Sequence, residues 1–581
     1  MSRSAHRRAP RAALTLTVVS ALLASAGLAH AQSPASGQAA DRAEVERVRA
    51  TTQALIESLV DSGLLPREKA NAILKQAAEA GDKAAASAAS ADAPKPPVVR
   101  VPYISESVKA ELKEQLRQDV LKQAHDERWG DPGAMPDWLR RIRLEGDVRV
   151  RFQKELFDKH NLAPDVADGY ATQTSNGNTL GWAPDLVNTQ HNRDRMTLRA
   201  RLGLVSELGG GFSAGIRLTT GSTSGPTSVS QTLGATSTTS NGATGGGFNK
   251  YAAVWDRAYI QYQDESGAGL VAGRFGSPFF GTDLTWPDDL NFDGVAVSYK
   301  PAIGAADSLF MTAGAFPLRE FEVSNQDKWL YGAQLGASLN LASYTQLRVG
   351  LAVYDFAGIQ GVADDKLPVS GASVGVKPYL LTEYPVGVRQ KGNTLIRLNR
   401  YDTSSATTWG LASKFLPINL TAELKLLSDY PVNVRLSADY VNNLGFHINE
   451  IQRRAMLPDD YLPAKQTAAY QFKAIVGHDQ TDKLGQWQGT LALRRLERDA
   501  WVDAFTDTTW HLGGTNYQGW SIGGQYGLGH RTTAGVRWTS TRSLPDKKLY
   551  VSPSDPTKSG IDLSGVPLKI EVLQLELNAR F

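Results

Sequence analysis

The most regular pattern in this sequence is a strict alternation of apolar and polar residues that begins just after Trp138. Across residues 141–152, every even position from Ile142 to Phe152 is apolar or glycine, and every odd position is charged. A period of two puts the two classes on opposite faces of a β-strand, whereas a helix would mix them. The segment therefore predicts a strand with one apolar face. Soluble β-sandwiches also alternate, so this strand alone does not decide whether lipid or water covers that face.

The last residues of the chain show the same alternation. The apolar set is Leu573, Leu575, Leu577, Ala579 and Phe581, and the polar set is Gln574, Glu576, Asn578 and Arg580. In water a terminal aromatic residue would fray, whereas at a membrane interface it belongs to the aromatic girdle of an outer-membrane β-barrel. Phe581 also resembles the C-terminal assembly signal of such barrels, although Ala579 stands where a second aromatic residue is common. The C-terminus therefore favours a membrane barrel.

Between these two ends, alternating stretches come in pairs that short turns join. The pairs are 196–207 with 212–220, 256–263 with 270–275, 330–340 with 347–356, 420–427 with 432–441, and 521–528 with 532–539. Longer, loop-like stretches separate them, at 153–192, 221–249, 357–404 and 541–567. Short turns on one rim and long loops on the other are typical of outer-membrane barrels. We expect an antiparallel transmembrane barrel of about 16 strands over residues 138–581.

The N-terminus carries one apolar run. Residues 12–29 follow four arginines and end at Ala29-His30-Ala31. A basic region, a short apolar region and an Ala-x-Ala site predict a secretory signal peptide, residues 1–31, which is cleaved before Gln32. The alternative is an uncleaved anchor helix. We expect an exported protein.

Three segments of different composition follow the signal. Residues 32–82 carry apolar residues at three- and four-residue steps and predict a short helical segment. Residues 83–104 are rich in alanine and proline and predict a flexible linker. Residues 105–137 predict a periplasmic helix and its lead-in to the barrel. A trimeric coiled-coil stalk and a helix lying against the barrel mouth are both compatible with that helix.

Composition narrows the class of protein further. The chain has no cysteine, which excludes a disulfide-stapled fold and thiolate chemistry. Its net charge of +3 is too close to balance to indicate nucleic acid as a partner. The 54 glycines and 12 tryptophans, together with a mean hydropathy of −0.29, suit a transmembrane barrel, whose alternating strands average out as polar.

The sequence lacks the common catalytic patterns. Its nine histidines are scattered, and none belongs to an HExxH or GxSxG motif. A hydrolase that pairs a serine with His478 or His511 is the remaining enzymatic alternative, and histidines of a girdle or loop are the simpler interpretation. We expect neither enzymatic activity, nor a cofactor, nor a metal site.

Six segments of the chain match, in order, the pattern of one known family. They are LIESLVDSGLL at 55–65, VRVPY at 99–103, PDWLRRIRLEGDVRVRF at 136–152, TWPDDLNFDG at 285–294, DYVNN at 439–443 and DAFTDTTWHLGGTN at 503–516. On these segments the chain resembles the putative-porin family of proteobacterial outer membranes. The resemblance implies a barrel in a Gram-negative outer membrane, in contact with its lipid and lipopolysaccharide and inserted by the barrel-assembly machinery. Porins in general suggest a homotrimer that passes small hydrophilic solutes or anions.

Alternation also predicts which side chains line the lumen of the barrel. The arginines opposite the apolar faces are Arg141, Arg143, Arg149, Arg151, Arg195, Arg199, Arg201, Arg217, Arg257, Arg274, Arg348, Arg435, Arg494 and Arg537. Fewer acidic residues lie opposite the apolar faces, namely Glu145, Asp147, Glu207, Glu423, Asp439 and Glu576. An excess of guanidinium groups would favour anions in the channel. The alternative is that these arginines pair with loop acids and only brace the wall.

The stretch from Gly276 to Asp293 should form the third extracellular loop. It carries four candidate constriction residues, Asp283, Asp288, Asp289 and Asp293. If the loop folds inward, as in trimeric general porins, these acids would face the basic wall and create a transverse field. The alternative is an ordinary surface loop with Asx turns.

Two functions remain open from the sequence. The first is an outer-membrane porin, whose water-filled channel lets small hydrophilic solutes diffuse passively, with a preference for anions. The second is a structural barrel that tethers the envelope through its helical N-terminus. Deletion of residues 32–97 would separate them, because conductance should survive it and tethering should not.

Overall fold

The alternating segments form long antiparallel strands that together make one sheet. The computed structural model describes residues 141–161, 188–221, 225–363, 378–399, 408–455, 464–544 and 568–581, except 235, 240, 241, 246, 249, 305, 323 and 386. The predicted signal peptide, helical segment, linker and periplasmic helix lie outside these residues. The first strand begins at Ile142, within the predicted barrel region.

Sixteen long strands make the wall, in agreement with the predicted count. They are β1 (Ile142–Phe157), β2 (Arg193–Gly209), β3 (Phe212–Thr220), β4 (Ala253–Gln263), β5 (Ala268–Gly276), β6 (Asn291–Tyr299), β7 (Ser308–Arg319), β8 (Lys328–Ala342), β9 (Thr345–Ala357), β10 (Pro417–Leu426), β11 (Asn433–Asn443), β12 (Ala468–Gly477), β13 (Trp487–Leu496), β14 (Tyr517–Gly529), β15 (Thr532–Ser543) and β16 (Lys569–Arg580). A two-residue strand, Gln231–Thr232, is added where it pairs with β2.

The first and last strands pair with each other and close the sheet into a barrel. The register runs from Asp147 opposite Arg580 to Phe157 opposite Ile570. At the rim, Gly146 and Phe581 exchange two backbone hydrogen bonds of 3.0 Å. Closure is what a membrane requires, because hydrocarbon offers no water to the backbone groups of a free edge. The predicted closed barrel is confirmed.

Short turns lie on one rim of the barrel and long connections on the other. The five predicted hairpins are confirmed as β2–β3, β4–β5, β8–β9, β10–β11 and β14–β15. Gly209, Gly210 and Gly211 turn between β2 and β3 with φ values of 90°, 59° and 82°, which glycine adopts without strain. Because the barrel has an even number of strands, the start of β1 and the end of β16 both lie on the short-turn rim.

Two hairpins are not located by the sequence pattern, β6–β7 and β12–β13. In β6 and β7 the inward positions include Phe292, Ala296, Phe310 and Phe316, which are buried. Both faces of these strands are thus largely apolar, and the polarity no longer alternates. The first strand is also longer than predicted, since it reaches Phe157 instead of ending at Phe152.

The outer face carries the apolar residues that the alternation assigns to lipid. Leu144 is 59% exposed and Leu577 is 49% exposed, and Val148 and Leu575 are exposed beside them. Ile142, Val150 and Leu573 share this face and are partly exposed. The ring of Phe581 lies on Gly146, where a Cβ atom would come within 2.5 Å of it. No helix in the described part of the chain is long and apolar enough to cross a membrane.

The long connections contain short elements of their own. Two helices, Pro378–Leu381 and Ile448–Ala455, and a two-stranded ribbon of Leu395–Arg397 with Trp409–Leu411 lie there. Trp409, Leu411 and Ile396 are buried. These connections therefore pack against other parts of the protein and contribute to its core.

Candidate functional site: a constriction inside the barrel

The third long connection, residues 277–290 between β5 and β6, folds into the barrel. The backbone N–H of Phe280 donates to Gln334 Oε1 of β8 at 2.7 Å, and Gln334 Nε2 donates back to the Phe280 carbonyl at 2.6 Å. Further along, Thr282 donates from its hydroxyl to Asp439 Oδ2 of β11 at 2.6 Å. The loop therefore crosses the interior and does not lie on the outer surface.

Aromatic packing explains why this loop turns inward. Trp286 is buried against Phe292, Tyr354 and Trp501, with ring centroids 4.8, 5.3 and 4.9 Å away. Leu284 and Leu290 of the same loop are buried in the same cluster. We call the inward side chains of β5–β9, together with those of this loop that pack on them, the aromatic half of the interior. Burial of such rings from water is the main force that holds the loop in place.

Asp283 anchors the tip of the loop to the opposite wall. Arg494 Nη2 of β13 donates to its carboxylate at 2.6 Å, Gln471 Nε2 of β12 at 3.0 Å, and Lys473 Nζ lies 3.5 Å away. Burial raises the pKa of Asp283, but the charges of Lys473 and Arg494 outweigh it and hold that pKa well below its usual range. Asp283 is therefore a permanent negative charge that locks the loop across the lumen.

Asp289 makes the second contact, with the wall formed by β1 and β2. Arg199 Nη1 and Arg201 Nη1 lie 3.1 and 3.5 Å from its carboxylate. The same two arginines bind Asp147, at 2.7 and 2.5 Å. Asp288 lies between these two contacts and lines the space between the loop and the wall. Burial and the nearby charge of Asp283 raise the pKa of Asp288.

A cavity of about 200 Å³ lies between the loop and the wall. Its basic side is formed by Arg149, Arg151, Arg195, Arg199, Arg537 and Lys473, and its acidic side by Asp283, Asp288, Asp289 and Asp507. We call the inward side chains of β1, β2 and β12–β16 the charged half of the interior. Opposite charges on the two sides of the cavity create a field across the lumen, and low-dielectric walls focus that field.

Several of the predicted arginines have acidic partners within the wall itself. Glu576 lies 3.9 Å from Arg149 and 3.2 Å from Arg151, and Glu155 lies 2.8 Å from Arg195. Other pairs lie outside the cavity: Arg217 with Asp256, and Arg435 with Asp479 at the short-turn rim. Bracing of the wall and a charged lumen are therefore both features of this barrel.

The remaining predicted arginines differ in their surroundings. Arg348 stacks over the rings of Phe280 and Phe310, 4.1 and 4.7 Å from their centroids. Arg257 donates to Asn291 at 2.8 Å. Arg141 precedes β1, and Arg143 is exposed beside Glu145 near the same rim, so neither lies in the constriction.

Two predicted site residues, Arg274 and Asp293, do not line the cavity of the constriction. Arg274 pairs with Asp293 across β5 and β6, and their side chains are 2.6 Å apart. Both residues line a second cavity, beside Phe292 and Phe316, and not the cavity of the constriction. Their roles in the pore stay predictions.

The sequence pattern missed the contributions of distant loops. The connection between β13 and β14 supplies Asp507, and Thr227, Ser228 and Ser230 of the second loop line the same cavity. Arg149 Nη2 donates to Ser230 Oγ at 3.0 Å. Short polar segments such as these have no periodicity that would place them inside a barrel.

Two more connections meet inside the barrel, residues 378–399 and 497–516. Tyr384 donates its hydroxyl hydrogen to Asp503, whose other carboxylate oxygen accepts from the backbone of Gln390 at 3.1 Å. Burial raises the pKa of Asp503 to about 6, although both hydrogen bonds act in the opposite direction. Asp503 is therefore a carboxyl group that can change its charge within an ordinary pH range.

The two histidines considered for catalysis have structural surroundings. His511 is buried, with Nδ1 2.9 Å from the Thr541 hydroxyl, and burial lowers its pKa well below the usual value. His478 lies at the short-turn rim, where its Nδ1 is 3.3 Å from the backbone of Trp487. Neither ring has a hydrogen bond to a serine among the described residues.

A closed sixteen-stranded barrel with an inward third loop and a charged constriction defines the class of outer-membrane channels. Residues 49–581 match the family model described as "putative porin", and the chain belongs to this family. Membership in this family supports a location in the outer membrane. No curated protein sequence matches the chain.

Solved structures of outer-membrane channels align with most of the chain. The outer membrane channel DcaP of Acinetobacter baumannii is 12% identical, with a TM-score of 0.35, over 76% of this chain and 97% of that one. The high-pH structure of OprB of Pseudomonas putida is 11% identical, with a TM-score of 0.39, over 77% and 96%. A triple mutant of the Rhodopseudomonas blastica porin is 8% identical, with a TM-score of 0.32, over 76% and 100%.

Proposed function

We propose that this protein is a porin through which small hydrophilic solutes diffuse passively, with a modest preference for anions. The observation that carries the proposal is the cavity between loop 277–290 and the wall. Six cationic side chains and four carboxylates line it. A solute that passes the cavity gives up part of its hydration shell and interacts with fixed charges. The excess of cationic side chains lowers the energy of an anion there.

The acids within the wall limit that preference. Asp147, Glu155 and Glu576 each lie within 4 Å of a guanidinium group and offset part of its charge. Local placement matters more than the total, because charges in a wet channel are screened within about 10 Å at 0.1 M salt. We therefore expect chloride to be only about a few times more permeant than potassium, and we do not expect cations to be excluded.

The test is the reversal potential of the purified protein in planar bilayers across a KCl gradient. The wild-type protein should conduct, and the sign of its reversal potential should show that chloride is more permeant than potassium. Arg149→Gln with Arg537→Gln should move it towards potassium selectivity. Arg435→Gln is the matched control, since Arg435 also faces inward but lies with Asp479 at the short-turn rim.

The two parts of the proposal fail separately. If correctly folded protein shows no conductance, the proposed porin function is refuted. Conductance with equal shifts from the double variant and from the control would refute the role of the constriction arginines in selectivity.

A further inference from the structure

A second cavity, of about 240 Å³, lies in the aromatic half and is not part of the charged constriction. Its wall is mostly apolar and includes Phe292, Phe316, Leu330, Ile359 and Val502, all of them buried. Pockets of this kind bind the apolar body of a small molecule, and a few polar groups at one end fix its orientation. The cavity is small even for such pockets, so it suits a compact solute.

Three cationic side chains line this cavity, and one of them, Arg274, is paired with the carboxylate of Asp293 at 2.6 Å. The other two are Arg319 of β7 and Lys328 of β8. A β-bulge brings them together: Pro317 lies opposite Trp329, but Arg319 lies opposite Lys328, so one extra residue is inserted in β7. Without this residue Arg319 would share the outward face of Pro317. Bulges near functional sites commonly redirect a side chain in this way.

The two cations are poorly compensated. Lys328 is only 5% exposed, and its Nζ donates to the backbone carbonyl of Glu383 at 2.7 Å. Nη1 of Arg319 is buried without a hydrogen-bond partner. Within the described part of the chain, no carboxylate oxygen lies within 4 Å of either group. Both cations lie over the ring of Phe321, 4.5 and 5.9 Å from its centroid. Buried positive charge without an anion is costly, and a bound anion would relieve it.

The cavity also adjoins the route through the channel. Pro226 and Val388 line both this cavity and a neighbouring one, which in turn shares Thr227, Ser228 and Thr508 with the constriction. The three cavities thus form a series from the aromatic half to the charged half. The middle cavity therefore lies between this site and the charged constriction.

We propose that this cavity is a binding site for a small monocarboxylate with an apolar ring. The ring would pack on Phe292 and Phe316, and the carboxylate would accept hydrogen bonds from Arg319 and Lys328. The ligand needs both its ring and its carboxylate. The apolar wall makes the same contact with a neutral or a charged molecule that carries a ring, and only an anion compensates the two cations.

The test is isothermal titration of benzoate into the purified full-length protein in detergent. Benzoate should bind saturably, and both benzamide, which has the ring without the charge, and acetate, which has the charge without the ring, should bind at least tenfold more weakly. Arg319→Gln combined with Lys328→Met should weaken benzoate at least tenfold. Arg348→Gln is the matched control, because Arg348 also stacks on aromatic rings but does not line this cavity.

A second variant keeps the test independent of any effect of the double variant on folding. Val388→Trp leaves both cations in place and fills the cavity from the loop side, and it should also abolish benzoate binding. Equal affinity for benzoate and benzamide, unchanged binding by either variant, or no saturable binding would overturn the proposal. Since binding is measured without a membrane, its outcome is separate from that of the conductance experiments.

Discussion

The aromatic half and the charged half of the barrel interior are held together by different forces. In the aromatic half, rings from β5–β9 and loop 277–290 pack edge to face, with Trp286 between Tyr354 and Trp501. In the charged half, arginines alternate with carboxylates, as in the contacts of Arg199 with Asp147 and Asp289. The same loop belongs to both. Its apolar residues pack in the aromatic half, and its acids form ion pairs in the charged half.

The largest effect is expected from removing the aromatic anchor of the loop. Trp286→Ala should lower the free energy of unfolding by about 3–5 kcal/mol, because it leaves a large cavity in a buried cluster. Without the anchor the loop should leave the lumen, so single-channel conductance should rise. Trp538→Ala is the control, since Trp538 is exposed on the outer face. If both variants behave alike in thermal unfolding and conductance, the aromatic half does not position the loop.

The charged tip of the loop should matter nearly as much. Asp283→Asn leaves the buried guanidinium of Arg494, with a side chain only 1% exposed, without its carboxylate. Breaking a buried ion pair in this way costs about 3–5 kcal/mol, and some relaxation of the loop would reduce the figure.

The matched control for this pair is Asp293→Asn. Asp293 also pairs with an arginine at 2.6 Å, but its side chain is 53% exposed and that of Arg274 is 36% exposed. Such exposed pairs contribute about 0–1 kcal/mol. Thermal unfolding of the two variants should therefore differ clearly, and equal shifts would contradict the inward position of Asp283.

The contact between loops 378–399 and 497–516 should make stability depend on pH. Burial raises the pKa of Asp503 to about 6, above the usual 3.8. The folded protein therefore holds this proton more tightly than the unfolded chain, and its free energy of unfolding should fall as the pH rises from about 4 to 6 and stay level above that. The total change is at most about 3 kcal/mol. In Asp503→Asn this part of the pH dependence should disappear, and an unchanged profile would assign it to another group.

The smallest effect concerns salt. Screening lengths fall from about 10 Å at 0.1 M to about 3 Å at 1 M, so ion selectivity of the charged half should decline towards that of free solution. Stability of the Trp286 cluster should not decline with it, because ring packing does not depend on screening. Reversal potentials and unfolding temperatures over this range would separate the two halves. Selectivity that persists at 1 M would point to a steric filter.

The parts of the fold that were predictable are those where one face meets lipid and the other meets polar groups. The strands β1 and β16 show this, since Leu144 and Leu577 are exposed outside while Asp147 and Gln574 are buried inside. The strands β6 and β7 could not be located, because Phe292, Phe310 and Phe316 make their inner faces apolar as well.

The candidate site was predictable only in its chemical parts. The acids of loop 277–290 and the arginines of β1 and β2 could be named from parity and loop position. The sequence could not show which acid contacts which arginine, because the partners are far apart in the chain. Asp283 contacts Arg494, 211 positions further along, and Asp289 contacts Arg199, 90 positions away. Asp507 and Ser230 carry no local signal at all.

The sequence by itself determined the class of this protein, because alternation with a period of two, a terminal aromatic residue and unequal turns are local consequences of a strand that separates lipid from water. Tertiary structure decided how the lumen is divided, where the third loop lies, and which arginines line the cavity of the constriction. Those features depend on contacts between residues far apart in the chain. A bulge of one residue is enough to turn Arg319 from one face to the other.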